Sequence, residues 1–254
     1  MNKVIMVSGG NAGLGLGISQ RLLELGNTVV AFGLPEHQQE EFTGFSEGKI
    51  NFVPANLTNE VQINELCEQT AAHFGRIDAI VNNAALGPLG TLDNTSVETW
   101  QAIQNVNLLG PFIFAKAALP YMQKQGGGNV INIGSGAGWG KANMLAYATS
   151  KGGLIAFNQA LALDLFQYKI RVNALIPGGG GIVTPMALER FQGSQEALQA
   201  KAVGSVAGRP IDGADMADAV NFLISDAAQT ISGTIIDVGC FHHQGSSAPL
   251  GIAK

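Results

Sequence analysis

The chain has 254 residues, 46% of them hydrophobic and 13% charged, with a net charge of −5; this is ample for an α/β core and for faces buried against other subunits. No lysine/arginine run points to nucleic acid. The two cysteines, Cys67 and Cys240, lack metal-ligand spacing, and no apolar run reaches the ~20 residues of a membrane helix.

Met1 to Val7 is too short for a signal peptide, so a cytoplasmic protein is expected. Val4 to Val7 reads as a strand, followed by Ser8-Gly-Gly-Asn-Ala-Gly-Leu-Gly-Leu-Gly17 and a helix ending near Gly26. Strand, glycine turn and helix in this order are the context of a dinucleotide fingerprint. Gly9 would permit the tight turn, Gly13 the approach of backbone to a pyrophosphate, and Gly15 the packing of helix on strand. The phosphates would rest on the helix N-terminus, where unpaired N–H groups and the dipole favour an anion. A loop rich in glycine for flexibility alone is the plainer alternative. Thr28 to Phe32 is the second strand, at whose end an acid would bind the adenine ribose or an arginine a 2′-phosphate. Gly33-Leu34-Pro35 offers neither, and Ala12 offers no cation before Gly13. The missing cation slightly favours NAD over NADP, the missing acid weakens that preference, and Glu36 and His37 stand just beyond. Both cofactors stay open.

Ile50 to Pro54 is a third strand ending at Ala55-Asn56-Leu57-Thr58, and Asn59 to Phe74 an amphipathic helix. Ile77 to Val81 is a fourth strand, closed by Asn82-Asn83-Ala84-Ala85. Thr95 to Asn107 reads as a helix continued through Leu108 to Met122. Strand 129–133, helix 146–165, strand 170–176, helix 216–225 and strand 234–238 complete the alternation. Such alternation predicts a doubly wound parallel sheet, Rossmann-like, in a single domain spanning 1–254. Ligands bind beyond the carboxyl ends of such strands, where Gly9, Asn56, Asn82, Ser135 and Pro177 fall. Glycines 178–181 read as a loop inside that domain, 185–205 as a helical lid over the substrate, and 240–254 as a tail that packs on another subunit or frays.

The chemistry concentrates between Gly134 and Gly153. Tyr147 and Lys151 share one helix face, one turn apart. A free tyrosine ionises near pH ~10, and a nearby cation favours its phenolate. Ser135, at the mouth of the preceding strand, could hold a substrate oxygen beside the phenol. The trio reads as acid–base machinery for a carbonyl/alcohol pair, although a Tyr and a Lys at this spacing are common on any helix. His242 and His243 lack acids at ligand spacing, so no metal is expected.

Taken in order, Ser8-Gly-x-x-x-Gly-x-Gly15, Asn82-Asn-Ala, Asn107, Ser135, Tyr147-x-x-x-Lys151, Arg171-Val-Asn-Ala and Pro177-Gly178 resemble the short-chain dehydrogenase/reductase family over nearly the whole chain. Gly208-Arg-Pro, Phe222-Leu-Ile-Ser-Asp and Ser232-Gly233 extend the likeness. The resemblance implies an NAD(P)-dependent oxidoreductase interconverting a secondary alcohol and a ketone. It makes Tyr147 the acid/base, Lys151 the group that lowers its pKa and binds the nicotinamide ribose, Ser135 the substrate anchor, and Asn107 the holder of a water. It implies cofactor contacts from Gly9, Asn11, Gly13, Leu14, Gly15, Gly33, Leu34, Asn56, Leu57, Asn83, Ala84, Tyr147, Lys151, Pro177, Gly178, Ile182 and Thr184. It also implies a homotetramer packed through 95–122 and 146–165. Departures are Ala85 for a glycine, a Ser135–Tyr147 spacing shorter by one, two extra glycines before Ile182, Asn56 for an aspartate, and Val238-Gly-Cys-Phe for Val-Asp-Gly-Gly. Ser135 and Tyr147, with Trp139, Asn143, Met144, Met186, Leu188 and Phe191, are the substrate-pocket candidates. No cation stands out among them, so a neutral, partly apolar alcohol or ketone is expected. A dehalogenase- or lyase-type reaction and a non-catalytic dinucleotide sensor are the alternatives. The former's relatives carry arginine at the Lys151 position, and the latter would lose Tyr147 or Lys151.

Overall fold

A computed structural model describes residues 2–35, 45, 48–178, 182, 184–190, 193–200 and 209–239. Glu36, His37, Phe191, residues 179–181 and 201–205 of the expected loop and lid, and the tail with Cys240, His242 and His243 lie outside the described residues.

Short apolar runs become buried strands because a parallel sheet covered on both faces has no polar side. The strands are β1 (Val4–Ser8), β2 (Thr28–Gly33), β3 (Ile50–Pro54), β4 (Ala79–Asn82), β5 (Gly128–Ile133), β6 (Ile170–Pro177) and β7 (Ile235–Val238). All pair in parallel, in the order β3-β2-β1-β4-β5-β6-β7. The order reverses between β1 and β4, so the loops after these two strands diverge and leave a crevice.

The two-residue period of the strands sorts their side chains between two cores. Met6, Val30, Phe32 and Ile80 face α2 (Glu60–Phe74), α4 (Gly110–Lys124) and α5 (Leu145–Leu165). There the Phe32 and Phe114 rings meet edge to face at 4.9 Å. Ile5, Val7, Val29 and Val81 face α1 (Gly13–Glu24) and α8 (Gly213–Ile224). Cys67 lies in the first core, and burial pushes its thiol up to about 12, which leaves it unreactive near neutrality. Across the sheet, Asn82 Nδ2 donates to Asn132 Oδ1 at 2.8 Å, and Asn132 Nδ2 donates to Asn158 Oδ1 on α5 at 3.0 Å.

The structure departs from the sequence reading in three stretches. The helix expected from 95 through 122 is α3 (Val97–Gln104), a π-helical turn (Asn105–Leu109) and α4. The expected lid forms two short helices, α6 (Pro185–Arg190) and α7 (Gln195–Ala200). Finally, α8 starts at Gly213 because the Asp212 and Asp215 side chains cap each other's backbone N–H groups.

Candidate active site

The carboxyl ends of β1, β4 and β5 build the floor. After β1 the chain turns at Gly9, whose φ of +61° lies in the left-handed region and whose N–H donates to the Phe32 carbonyl at 2.7 Å. A Cβ on Gly15 would overlap the Gly9 carbonyl oxygen and the Asn83 amide, so only glycine lets α1 begin here. That contact lies against the turns rather than the strand face. The loop after β4 is sewn to β1 by Ser8 Oγ, which accepts from the N–H groups of Asn83 at 3.0 Å and Ala84 at 3.1 Å.

The first turn of α1 has no side-chain cap, because Ala12 is its N-cap, and it contains no acidic residue. In contrast α2, α3 and α8 are capped by Asn59, Ser96 and Asp212. An uncapped helix N-terminus beside glycines is the donor set that a pyrophosphate needs. The residues present therefore fit a dinucleotide. At the end of β2, a Cβ on Gly33 would collide with Asn11 Oδ1, while Asn11 Nδ2 donates to the Leu34 carbonyl at 3.2 Å. A neutral amide thus fills the space that an acidic side chain on residue 33 would require.

After β5, Ser135 caps a 3-10 turn (Gly136–Trp139), its Oγ accepting from Ala137 N–H at 3.2 Å. Tyr147 and Lys151 stand on the first turns of α5, only 7% and 3% exposed. Lys151 Nζ lies 5.8 Å from the Tyr147 ring centroid and donates to the Ile133 carbonyl at 2.8 Å. Asn107 lies in the π turn, behind this pair. Its Oδ1 accepts from Leu86 N–H at 2.8 Å, and its Nδ2 donates to the Leu86 carbonyl at 2.8 Å and to Ser150 Oγ at 2.9 Å. Ser150 Oγ in turn donates to the Tyr147 carbonyl at 2.7 Å. Both amide hydrogens of Asn107 are committed to protein. Its side chain ties the loop after β4 to the helix that carries the tyrosine.

These pieces enclose a cavity of about 680 Å³. Every position expected to touch the cofactor, from Gly9 to Thr184, lies in its wall, as do Ser135, Asn143, Met144 and Met186. Trp139 and Leu188 do not. The 3-10 turn packs Gly138 against the Lys151 backbone, and the next residue, Trp139, is 45% exposed. Lys141, which is not among the expected pocket residues, also lies in the wall. Among the described residues, no group of three or more His, Cys, Asp or Glu is placed to hold a metal.

The profile of a family described as enoyl-(acyl carrier protein) reductase matches residues 9–240. The 3-oxoacyl-(acyl-carrier-protein) reductase FabG of Thermotoga maritima is 31% identical over 240 residues, 93% of this chain and 96% of that protein. The chain belongs to the short-chain dehydrogenase/reductase family. Its members are oxidoreductases that use NAD(H) or NADP(H). A ligand-free aldohexose dehydrogenase of Thermoplasma acidophilum superposes with a TM-score of 0.84 at 28% identity, covering 100% of this chain and 98% of that one. A 3-ketoacyl-(acyl-carrier-protein) reductase of Brucella melitensis, complexed with NADH, superposes with a TM-score of 0.79 at 25% identity, covering 95% and 98%. Their named substrates, an acyl carrier and a sugar, differ. Membership therefore leaves the substrate to be argued from this chain's own wall. Among the described residues no helix is long and apolar enough to cross a membrane.

Proposed function

We propose that this dehydrogenase interconverts a secondary alcohol and a ketone, with Tyr147 as general acid/base. The observation that carries the reading is a buried Tyr147–Lys151 pair in the wall of a cavity shared with Ser135 and the glycine turn. When bound, reduced nicotinamide supplies a hydride to the carbonyl carbon. Tyr147 gives its phenolic proton to the carbonyl oxygen, which becomes the alcohol hydroxyl. In oxidation the proton returns to the phenolate as hydride leaves the carbinol carbon. Ser135 holds the oxygen in line with the phenol, and the Lys151 ammonium offsets the phenolate charge left after transfer. The dehalogenase-type and sensor alternatives lose ground because Lys151, Tyr147 and the glycines stand together in one wall.

NAD is favoured over NADP. Around Gly33, Leu34 and Asn11 the described wall offers an amide and apolar groups, with no cation to hold a 2′-phosphate. The short helices α6 and α7 serve as a lid. Pro185 would lie 3.2 Å from a Cβ placed on Gly13, over the phosphate end of the groove. The outward faces of α4 and α5 carry Phe112 (48% exposed) and Leu163 (80%), and Phe166 (81%) follows the end of α5, an apolar surface that fits a homotetramer. Sedimentation of a monomer at micromolar concentration would contradict that assembly.

Tyr147→Phe tests the central role. NADH binding by fluorescence titration and thermal stability should stay, while turnover falls about 10³-fold, within the range of general acid–base catalysis. Undiminished turnover would remove the tyrosine from its role. Binding of neither NADH nor NADPH by the native chain would move the reading to the dehalogenase type.

A further inference from the structure

We propose that Ser150 and Gln104 are positioning residues for the reaction: together they set the Tyr147 phenol against the part of the wall that would hold the cofactor. The inference rests on the acid/base reading of Tyr147 above and adds the two side chains that fix the tyrosine's place.

Tyr147 stands on the first turn of α5, and that turn has no side-chain cap. The first N–H groups of a helix lack helical partners, so its opening turn is the part least fixed by its own bonds. Here other groups hold it. Leu145 N–H donates to the Gly90 carbonyl at 3.1 Å. Gln104 Nε2, at the end of α3, donates to the Ala146 carbonyl at 3.0 Å, and Ser150 Oγ donates to the Tyr147 carbonyl at 2.7 Å. A helical carbonyl meets an N–H one turn on and keeps a second lone pair. The two side-chain bonds use that second position, so they locate the turn rather than complete it.

A serine that bonds back to its own helix is commonplace. Ser150 differs in what reaches it from outside. It is wholly buried, and its Oγ accepts from Asn107 Nδ2 at 2.9 Å. Asn107 in turn binds Leu86 through both its N–H and its carbonyl, at 2.8 Å each. Leu86 ends the run Asn83-Ala84-Ala85-Leu86 in the cavity wall, and Ser8 ties the start of that run to β1. A hydroxyl has one hydrogen to give and lone pairs to receive another, so Ser150 passes on the hold that Asn107 gives it. The cofactor side of the wall and the residue bearing the phenol are thereby braced to each other. Gln104 steadies the neighbouring carbonyl from the same stretch as Asn107. Neither Ser150 nor Gln104 lines the cavity, so each acts through Tyr147. Proton transfer needs the phenol within hydrogen-bond reach of the substrate oxygen while hydride transfer proceeds, and an error of about 1 Å costs about 100-fold.

The test uses the full-length chain with neutral ketones of four to ten carbons, NADH and NADPH, and takes the best pair forward. Ser150→Ala should bind that nucleotide with native affinity and stoichiometry, because Asn107 and Ser8 still hold the loop after β4. In single turnovers, with enzyme in excess over the reduced nucleotide, its rate of nucleotide oxidation should fall about tenfold. KM for the ketone should stay within about twofold of the native value. Gln104→Met, which keeps the bulk of the side chain and removes the donor, should show the same pattern with a smaller loss. Asp212→Ala, which uncaps α8 and has no tie to Tyr147, should lower the melting temperature and keep the native rate. A native single-turnover rate in either of the first two variants, or a loss only in proportion to lost nucleotide binding, overturns that residue's assignment and leaves the acid/base reading standing. Undiminished turnover in Tyr147→Phe, or turnover of no ketone with either nucleotide by the native chain, removes both.

Discussion

Two helices of equal length, α1 and α8, lie against each other on one side of the sheet and begin in opposite ways. Each spans 12 residues and opens on a glycine, and their backbones touch, a Cβ on Gly17 reaching within 2.9 Å of Gly213 Cα. In α8, Asp212 Oδ1 accepts from the N–H groups of Ala214 at 2.9 Å and Asp215 at 3.2 Å. Asp215 returns a bond to Asp212 N–H at 3.0 Å, and Arg209 clamps Asp215 with two bonds of 2.7 Å. In α1 the Ala12 side chain caps nothing. One end is satisfied by its own chain. The other lies in the cavity wall, where the proposed dinucleotide would set its phosphates.

Giving α1 what α8 has is the strongest way to break the contrast. Ala12 already has the extended backbone of a cap residue (φ −150°, ψ 160°), so Ala12→Asp should raise the melting temperature. It should also weaken NADH binding by an order of magnitude or more, because a carboxylate then competes for the N–H groups and repels phosphate. Unchanged NADH affinity in a fluorescence titration would show that the phosphates bind elsewhere. The reverse change, Asp212→Ala, should cost about 1 kcal/mol, a drop of a few degrees by calorimetry, with kcat and KM unaltered.

The smallest effect concerns acid. The Arg209 guanidinium holds the Asp215 carboxyl below the usual carboxylate range, so the folded state binds its proton less readily than the unfolded chain. The stabilisation is complete above the ordinary carboxylate value near pH ~4 and is lost as pH falls through the lowered one. Both partners are partly exposed, so screening keeps the effect modest. Melting temperatures from pH 7 to 3 should fall less steeply in Asp215→Asn than in the native chain, starting from a lower value.

The strands and their parallel sheet were legible because buried parallel strands announce themselves as apolar runs between helical stretches. The wall of the crevice was legible wherever a motif of fixed spacing carried it, as at Gly9 to Gly15 and Tyr147 to Lys151. Other features were not. The start of α8 depends on two aspartates capping each other, a signal present in Asp212-x-x-Asp215 but not read. Lys141 entered the wall, and Trp139 stayed out of it, for reasons that no periodicity encodes. The loop's course is set by its bridge to Gly90, about fifty residues earlier in the chain. The π turn gave no sign either, because hydrophobic periodicity is too coarse to register one extra residue.

That surplus residue makes length itself a specified property of the α3–α4 rod. Each residue advances a helix by about 100°, so dropping one between Asn105 and Leu109 would spin α3 through more than a quarter turn relative to α4. Gln104, whose side chain grips the Ala146 carbonyl at 3.0 Å, would swing off that anchor, and Ile103 would leave the interior. A shortening by a single position would thus unseat a whole helix while every recognisable motif remained intact.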